Sequence, residues 1–261
     1  LSGITASGGR TAAFDDDGTF TGDLGTTTVT VASTKTLTTT AAIANGKTID
    51  GDGSVAITAL HSTLAANLSG LTSASGTVTA AFGGNGTFTG TIGNAVVTVA
   101  DDVTMTAAAN KVAGKTINKS GSGSDNGALA VRIGTADNDD NLTTIGGTAT
   151  KTFTVFESVT FSGVLHGSIA TSVADGATLT IAANLAAGKT INKQNTSGKV
   201  AVQIGTADND DNLTTIAGTA EKTFTVFESV TFSGVLHGSI KTSVNASQTL
   251  TTTAAIANGK T

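Results

Sequence analysis

Apolar residues alternate with polar or small ones along most of the chain, as in Val200-Ala201-Val202-Gln203-Ile204 and Thr223-Phe224-Thr225-Val226-Phe227. A period of two puts successive side chains on opposite faces of an extended backbone, so these runs read as half-buried strands. Shorter runs at Thr180-Ile181 and Lys189-Thr190-Ile191 have the same character. Clusters of Gly, Asn, Asp and Ser interrupt them about every ten residues, where the chain must turn. The pattern predicts an all-β protein of many short strands.

The pattern also repeats. Ile133 to Val173 recurs as Ile204 to Val244, 71 residues later, with three changes: Gly146 to Ala217, Thr150 to Glu221 and Ala170 to Lys241. A Gly-Lys-Thr motif at Gly46, Gly114, Gly188 and Gly259 extends the period over the whole chain, with spacings of 68, 74 and 71 residues. The stretch Thr36 to Thr48 returns unchanged as Thr249 to Thr261. Four repeats follow, at 1–67, 68–141, 142–212 and a partial 213–261, each opening on LSGI, LSGL, LTTI or LTTI. The last breaks off just after its Gly-Lys-Thr motif, which reads as a segment of a longer array or a subunit completed by a neighbour.

Two architectures accommodate a repeat of this length. In a parallel β-helix, or β-solenoid, each repeat supplies about three coils of roughly 20 to 24 residues, and the repeats run together as one continuous solenoid. In tandem β-sandwiches each repeat is its own domain, but such domains need about 100 residues and a large buried aromatic. The unequal repeat lengths favour the solenoid, where an insertion simply bulges from a corner. Phe20, Phe88, Phe161 and Phe232 occupy equivalent places in GTFTG, GTFTG, VTFSG and VTFSG, and are expected to point inward.

Composition narrows the function. Cys, Pro, Trp and Tyr are absent, while β-branched Thr, Val and Ile suit a pleated surface. Charged residues make up 13% and the net charge is −5, so the chain offers phosphates no basic face and bases no stacking platform. Nucleic acid is a poor partner. No apolar run approaches the roughly 20 residues of a membrane helix.

The segment Ala-Asp-Asn-Asp-Asp-Asn carries the best candidate chemistry. Asp137, Asp139, Asp140 and Asn141 recur as Asp208, Asp210, Asp211 and Asn212. Clustered carboxylate and amide oxygens can surround a hard cation such as Ca²⁺. They equally build a solvated turn, because Asp and Asn bond their own backbone. The spacing matches neither an EF-hand loop nor the nonapeptide of calcium β-rolls. Looser clusters occur at Asp15-Asp16-Asp17 and at Asp50-Gly51-Asp52.

Other features read as structural. His166 and His237 share one repeat position, and His61 stands apart, each without the companions a zinc site needs. Glu157 and Glu228 interrupt a strand run and are expected to pack at a strand break. The Gly-Lys-Thr motifs lack the glycine-rich lead of a phosphate loop and a following helix, so they read as turns entering strands. Threonine runs such as Thr26 to Thr30 suggest an ice-ordering face, but their spacing is irregular. Arginine is confined to Arg10 and Arg132, and the acidic clusters are dispersed or duplicated. A polysaccharide-cleaving centre lacks its unique groove of charges, and no enzyme activity or required cofactor is expected.

The VTVA, ATLTIAA, GKTI and L-[ST]-x-[IL] elements together resemble the long repeat regions of bacterial surface proteins: adhesins, autotransporter-like passengers, and surface-layer or filament proteins. That resemblance spans the chain. It implies an extracellular or cell-surface location, a structural or adhesive role, and frequent dependence on calcium. The expected function is self-assembly, end to end or laterally, into a filament, sheath or surface layer. The alternative is a stalk or binding segment of a large adhesin, with cell-surface or polysaccharide contacts.

Overall fold

The computed structural model describes residue 3 and residues 8–121 and 124–260. It is nearly all β, and the strands pair in parallel, one turn above the next, through about 12 turns of β-solenoid. Strand residues paired in register lie between 17 apart, as at Ala12 and Val29, and 23 apart, as at Val55 and Val78, and isolated bridges beside the longer connections span up to 30, as at Thr116 and Gly146. One turn of coil therefore takes about the length expected. Contacts group the chain into two units: Leu1–Ala107 with Gly114–Ala130 and Thr144–Lys151, and Ala108–Ala113 with Val131–Thr143 and Thr152–Thr261.

In the first unit, Thr11–Phe14, Thr28–Val31 and Ile49–Gly51 form one ladder. Gly18–Phe20, Thr36–Thr40 and Ser54–Leu60 form the next ladder round the coil. The second unit repeats this design. There Thr150–Val155, Thr171–Val173 and Ile191–Lys193 make one ladder, and Val159–Phe161, Thr178–Ala182 and Lys199–Ile204 the other. A repeat thus contributes six strands, and a four-residue helical turn follows the fourth.

That helical turn puts small residues inward at its first and fourth positions. Ala41, Ala109 and Ala183 are fully buried at the first position of the turn, and the fourth position buries Ala44, Val112 and Ala186 just as completely. The turn ends on the glycine of Gly-Lys-Thr, which is left-handed at Gly46, Gly114 and Gly188 with φ of +66°, +71° and +72°. Glycine carries no steric penalty in that conformation.

Alternation places every second strand residue inside the coil. Val29, Val31, Leu37, Val55 and Ile57 in the first unit, and Leu179, Ile181, Val200, Val202 and Ile204 in the second, are at most 2% exposed. Each such side chain stabilises the fold by roughly 1.5 to 3 kcal/mol relative to exposure. Phe88, Phe161 and Phe232 point inward as expected, at 1% exposure. Phe20 differs: it is half-buried and meets Phe14 edge-on, with ring centroids 5.8 Å apart.

A repeat is not a whole number of turns. Val78–Phe82 is the counterpart of Thr11–Phe14, yet it continues the second ladder, pairing with Ser54–Leu60 and Val96–Val99. Glu221–Val226 does the same in the second unit, pairing with Lys199–Ile204 and Thr242–Val244. At each of these two boundaries the chain therefore steps one strand position round the coil. In the second unit the step is made by the long connection between Ile204 and Glu221, which carries the short 3₁₀ turns Thr206–Asp208 and Leu213–Thr215. The Asp-rich segment lies in that connection.

Candidate functional site

Asp137 and Asp208 end the first 3₁₀ turn and are 2% exposed. Asp137 Oδ2 accepts the Gly134 N–H at 2.9 Å, and Oδ1 accepts the Asn110 N–H, also at 2.9 Å, from the helical turn of the adjoining coil. Asp208 repeats this with Gly205 at 2.7 Å and Asn184 at 2.9 Å. Both carboxylate oxygens are thus committed to backbone donors. One donor closes the residue's own turn and the other ties that turn to the coil beside it.

The neighbouring residues diverge in environment. Asp139 and Asp210 are exposed. Asp140 and Asp211 are half-buried, and their Oδ2 atoms are enclosed with no hydrogen-bond partner. Burial, reinforced by the charges of Asp137 and Asp139, pushes the Asp140 carboxyl up to about 6. Asp211 is pushed to about 6 by burial and by Asp208 and Asp210. Asn141 Oδ1 accepts the Thr143 N–H at 3.1 Å and its hydroxyl at 2.6 Å, and Asn212 treats Thr214 the same way. The segment is a set of interlocked turns with one strained carboxyl per copy. Among the described residues, no group of three or more His, Asp or Glu side chains is placed to hold a metal ion.

Glu157 and Glu228 sit one coil along from the same turns. Glu157 Oε1 accepts the Thr135 N–H at 2.8 Å and the Thr135 hydroxyl at 3.1 Å. Glu228 Oε2 accepts both from Thr206 at 3.3 Å. These glutamates cap the start of the 3₁₀ turn rather than face an open groove. Beside Glu157, the Arg132 guanidinium lies 4.1 Å over the Phe156 ring.

Of the looser acidic clusters, the first is engaged with the next coil. Asp17 Oδ1 accepts the Thr36 N–H at 2.6 Å, and Asp16 pairs with Lys35 at 3.4 Å. Asp50 and Asp52 border an open depression shared with Thr72 and Ser73. The Gly-Lys-Thr lysines reach back along the coil: Lys47 Nζ donates to Gly25 O and Lys115 Nζ to Gly93 O, each at 2.6 Å. Lys151 Nζ donates to Gly147 O at 2.6 Å and Lys222 Nζ to Gly218 O at 2.6 Å, and burial lowers both ammonium groups.

Sequence reasoning missed one recurring device. Asp17, Asn85, Ser158 and Ser229 stand at the same repeat position, and each side-chain oxygen accepts a backbone N–H from the next coil. The donors are Thr36, Thr104, Thr178 and Thr249, at 2.6, 2.6, 3.0 and 3.0 Å. The available signal was chemical class, since all four are short side chains with an acceptor oxygen. Their differing identities hid it from a search for identical residues.

Comparison with protein-family models, curated proteins and solved structures gives no match. The site's meaning therefore rests on its geometry alone.

Proposed function

We propose that this chain is a structural repeat protein of the cell exterior, which self-associates through its ends or sides into a filament, sheath or surface layer. The observation that carries the reading is where the polar chemistry goes. Many of the residues capable of acid–base or ligand chemistry bind the backbone of a neighbouring coil or of their own turn. Asp137 and Asp208, Glu157 and Glu228, and Lys47 and Lys115 all do so. What repeats unencumbered is surface: outward-facing Thr, Ser, Ala and Asn in register along the ladders, as at Thr19, Thr38, Ala56 and Thr79. Near-identical copies of one surface suit regular packing of subunits.

On this reading the chain needs no cofactor, acts on no substrate and binds no nucleic acid. No helix among the described residues is long and apolar enough to cross a membrane. Electron microscopy of the purified chain and of the native material tests the proposal. Ordered fibres or sheets at rising protein concentration are the expected result. Isolated, non-associating particles at every concentration would overturn self-assembly and leave the adhesin stalk as the better reading.

A further inference from the structure

Repeats 3 and 4 differ from repeats 1 and 2 at one corner of the coil. The earlier copies read Gly22-Asp23-Leu24-Gly25 and Gly90-Thr91-Ile92-Gly93, whereas the later ones read Gly163-Val164-Leu165-His166-Gly167 and Gly234-Val235-Leu236-His237-Gly238. Leu24, Ile92, Leu165 and Leu236 are all buried, so the histidine is an insertion between the buried anchor and the glycine.

The insertion changes how the corner is held. At Gly25 and Gly93 the backbone is left-handed, with φ of +60° and +65°, and a lysine ammonium from the next coil caps the glycine carbonyl. At the later corners the imidazole does the work. His166 Nδ1 accepts the N–H groups of Ser168 at 3.3 Å and Ile169 at 3.2 Å, while the ring stacks on buried Phe153 with centroids 5.5 Å apart. His237 Nδ1 accepts the Ser239 N–H at 3.3 Å and stacks on Phe224 at 5.6 Å.

An imidazole nitrogen accepts only while it carries no proton, so this geometry requires the neutral ring with its hydrogen on Nε2. Protonation turns Nδ1 into a donor that faces two backbone donors at His166 and one at His237, so those backbone bonds are lost even where the Ser168 or Ser239 hydroxyl, 3.5 and 3.4 Å away, turns to accept. The charged groups on the elements around this corner act in opposite directions, the lysines against the imidazolium and the aspartates in its favour. Lys189 approaches from the next coil, its ammonium 3.9 Å from where a β-carbon on Gly167 would sit, and Lys260 comes within 3.6 Å of the same point at Gly238. Lys151 and Lys222 stand two residues before the stacked phenylalanines, and Asp140 and Asp211 lie in the turns that accept the Val164 and Val235 N–H groups.

We propose that the corners at His166 and His237 are pH-sensitive joints, closed while the imidazole is neutral and released when it takes up a proton. The corners at Gly25 and Gly93, which hold no imidazole, do not respond. The segments that open are His166 to Ile169 and His237 to Ser239, on the outer surface of the coil, so acidification changes the face that two of the repeats present.

Selective ¹⁵N labelling of histidine in the whole chain tests the first half directly. At about pH 7.5 the ring shifts of His166 and His237 are expected to report the Nε2–H tautomer; an Nδ1–H tautomer at either position overturns the proposal. Hydrogen exchange tests the second half, corrected for the intrinsic effect of pH. Protection of the Ser168, Ile169 and Ser239 amides is expected to fall about tenfold between about pH 7.5 and about pH 5, the loss of roughly one hydrogen bond. The corresponding amides after Gly25 and Gly93 serve as the internal reference and stay level. Because Asp140 and Asp211 titrate in the same range, the His166→Asn, His237→Asn double variant separates the causes. Asparagine keeps an acceptor oxygen without a titrating ring, so the fall should vanish. A fall that persists in that variant, or protection that never changes in the native chain, overturns the proposal.

Discussion

Replacing Asp208 by alanine removes an acceptor from two backbone donors at once, the buried Gly205 N–H and the part-buried Asn184 N–H. A buried donor left without a partner costs about 1 to 3 kcal/mol, and bonds to a charged group lie at the upper end. One buried loss and one partly solvated loss put the destabilisation at about 3 to 4 kcal/mol. Stacked repeats can open locally, so the effect should be read residue by residue rather than from one global transition. Native-state hydrogen exchange at Asn184 and Gly205 should show protection falling by about a hundredfold or more, while the equivalent amides at Asn110 and Gly134 keep theirs. The Asp210→Ala variant, at an exposed position two residues on, should stay within about 0.5 kcal/mol of the parent. If the two variants behave alike, the role assigned to Asp208 is wrong. The same pair decides the calcium alternative. A calcium-dependent rise in melting temperature that Asp210→Ala abolishes would restore the cation reading, whereas no response to calcium or to a chelator is expected.

Asp140 and Asp211 are held near 6 against an ordinary aspartate value of 3.8, so the folded state keeps protons that the unfolded chain releases. Their contribution is full below about pH 4 and is lost as pH rises through about 6, so melting temperature should fall between about pH 4 and about pH 6.5 and level off above that. The Asp140→Asn, Asp211→Asn variant should flatten that slope in a calorimetric pH series. Gly163→Ala should be strongly destabilising, by several kcal/mol in chemical denaturation, because its β-carbon would lie 2.1 Å from the Asp140 carbonyl oxygen. Gly18→Ala, with nothing within 4 Å, is the neutral control. Deleting residues 142–212 joins Asn141 to Leu213, the same Asn-Leu junction as before. The shortened chain should fold with an unchanged per-residue circular dichroism spectrum, and aggregation or loss of β signal would contradict the repeat boundaries.

Much of the fold was legible because burial obeys the strand period. The inward positions Val200, Val202 and Ile204, and the anchors Phe161 and Phe232, can be picked from alternation alone. So can the turn at Gly-Lys-Thr, since only glycine accepts a left-handed backbone without cost. The one-position step between repeats was not legible, because it depends on how many residues the connection from Ile204 to Glu221 spends going round the coil. A period in sequence does not state how many turns it spans.

Site residues were harder to read for a related reason. The sequence places Asp137, Asp139 and Asp140 within four residues, which suggests one site. Folding separates their fates: Asp137 turns inward to two backbone amides, Asp139 faces solvent, and Asp140 is trapped between. The partners that decide this, Asn110 for Asp137 and Asn184 for Asp208, come from a neighbouring coil 27 and 24 residues away. Glu157 is similar, since its partner Thr135 lies 22 residues back. One-coil separations carry most of the polar chemistry here, and nothing local in the sequence announces them.

The account stands on repeats that wind in parallel and advance one strand position at the boundary within each unit. Spin labels at Ala56 and Thr79, outward-facing residues paired in register across the first repeat boundary, test this most directly. Adjacent parallel strands lie about 4.8 Å apart, so the doubly labelled chain should show strong dipolar broadening in its continuous-wave spectrum, absent from either single label. Broadening that appears instead between Asp50 and Thr79, with none between Ala56 and Thr79, would mean the repeats stack without the step. No broadening in either pair would mean they are not stacked coils at all.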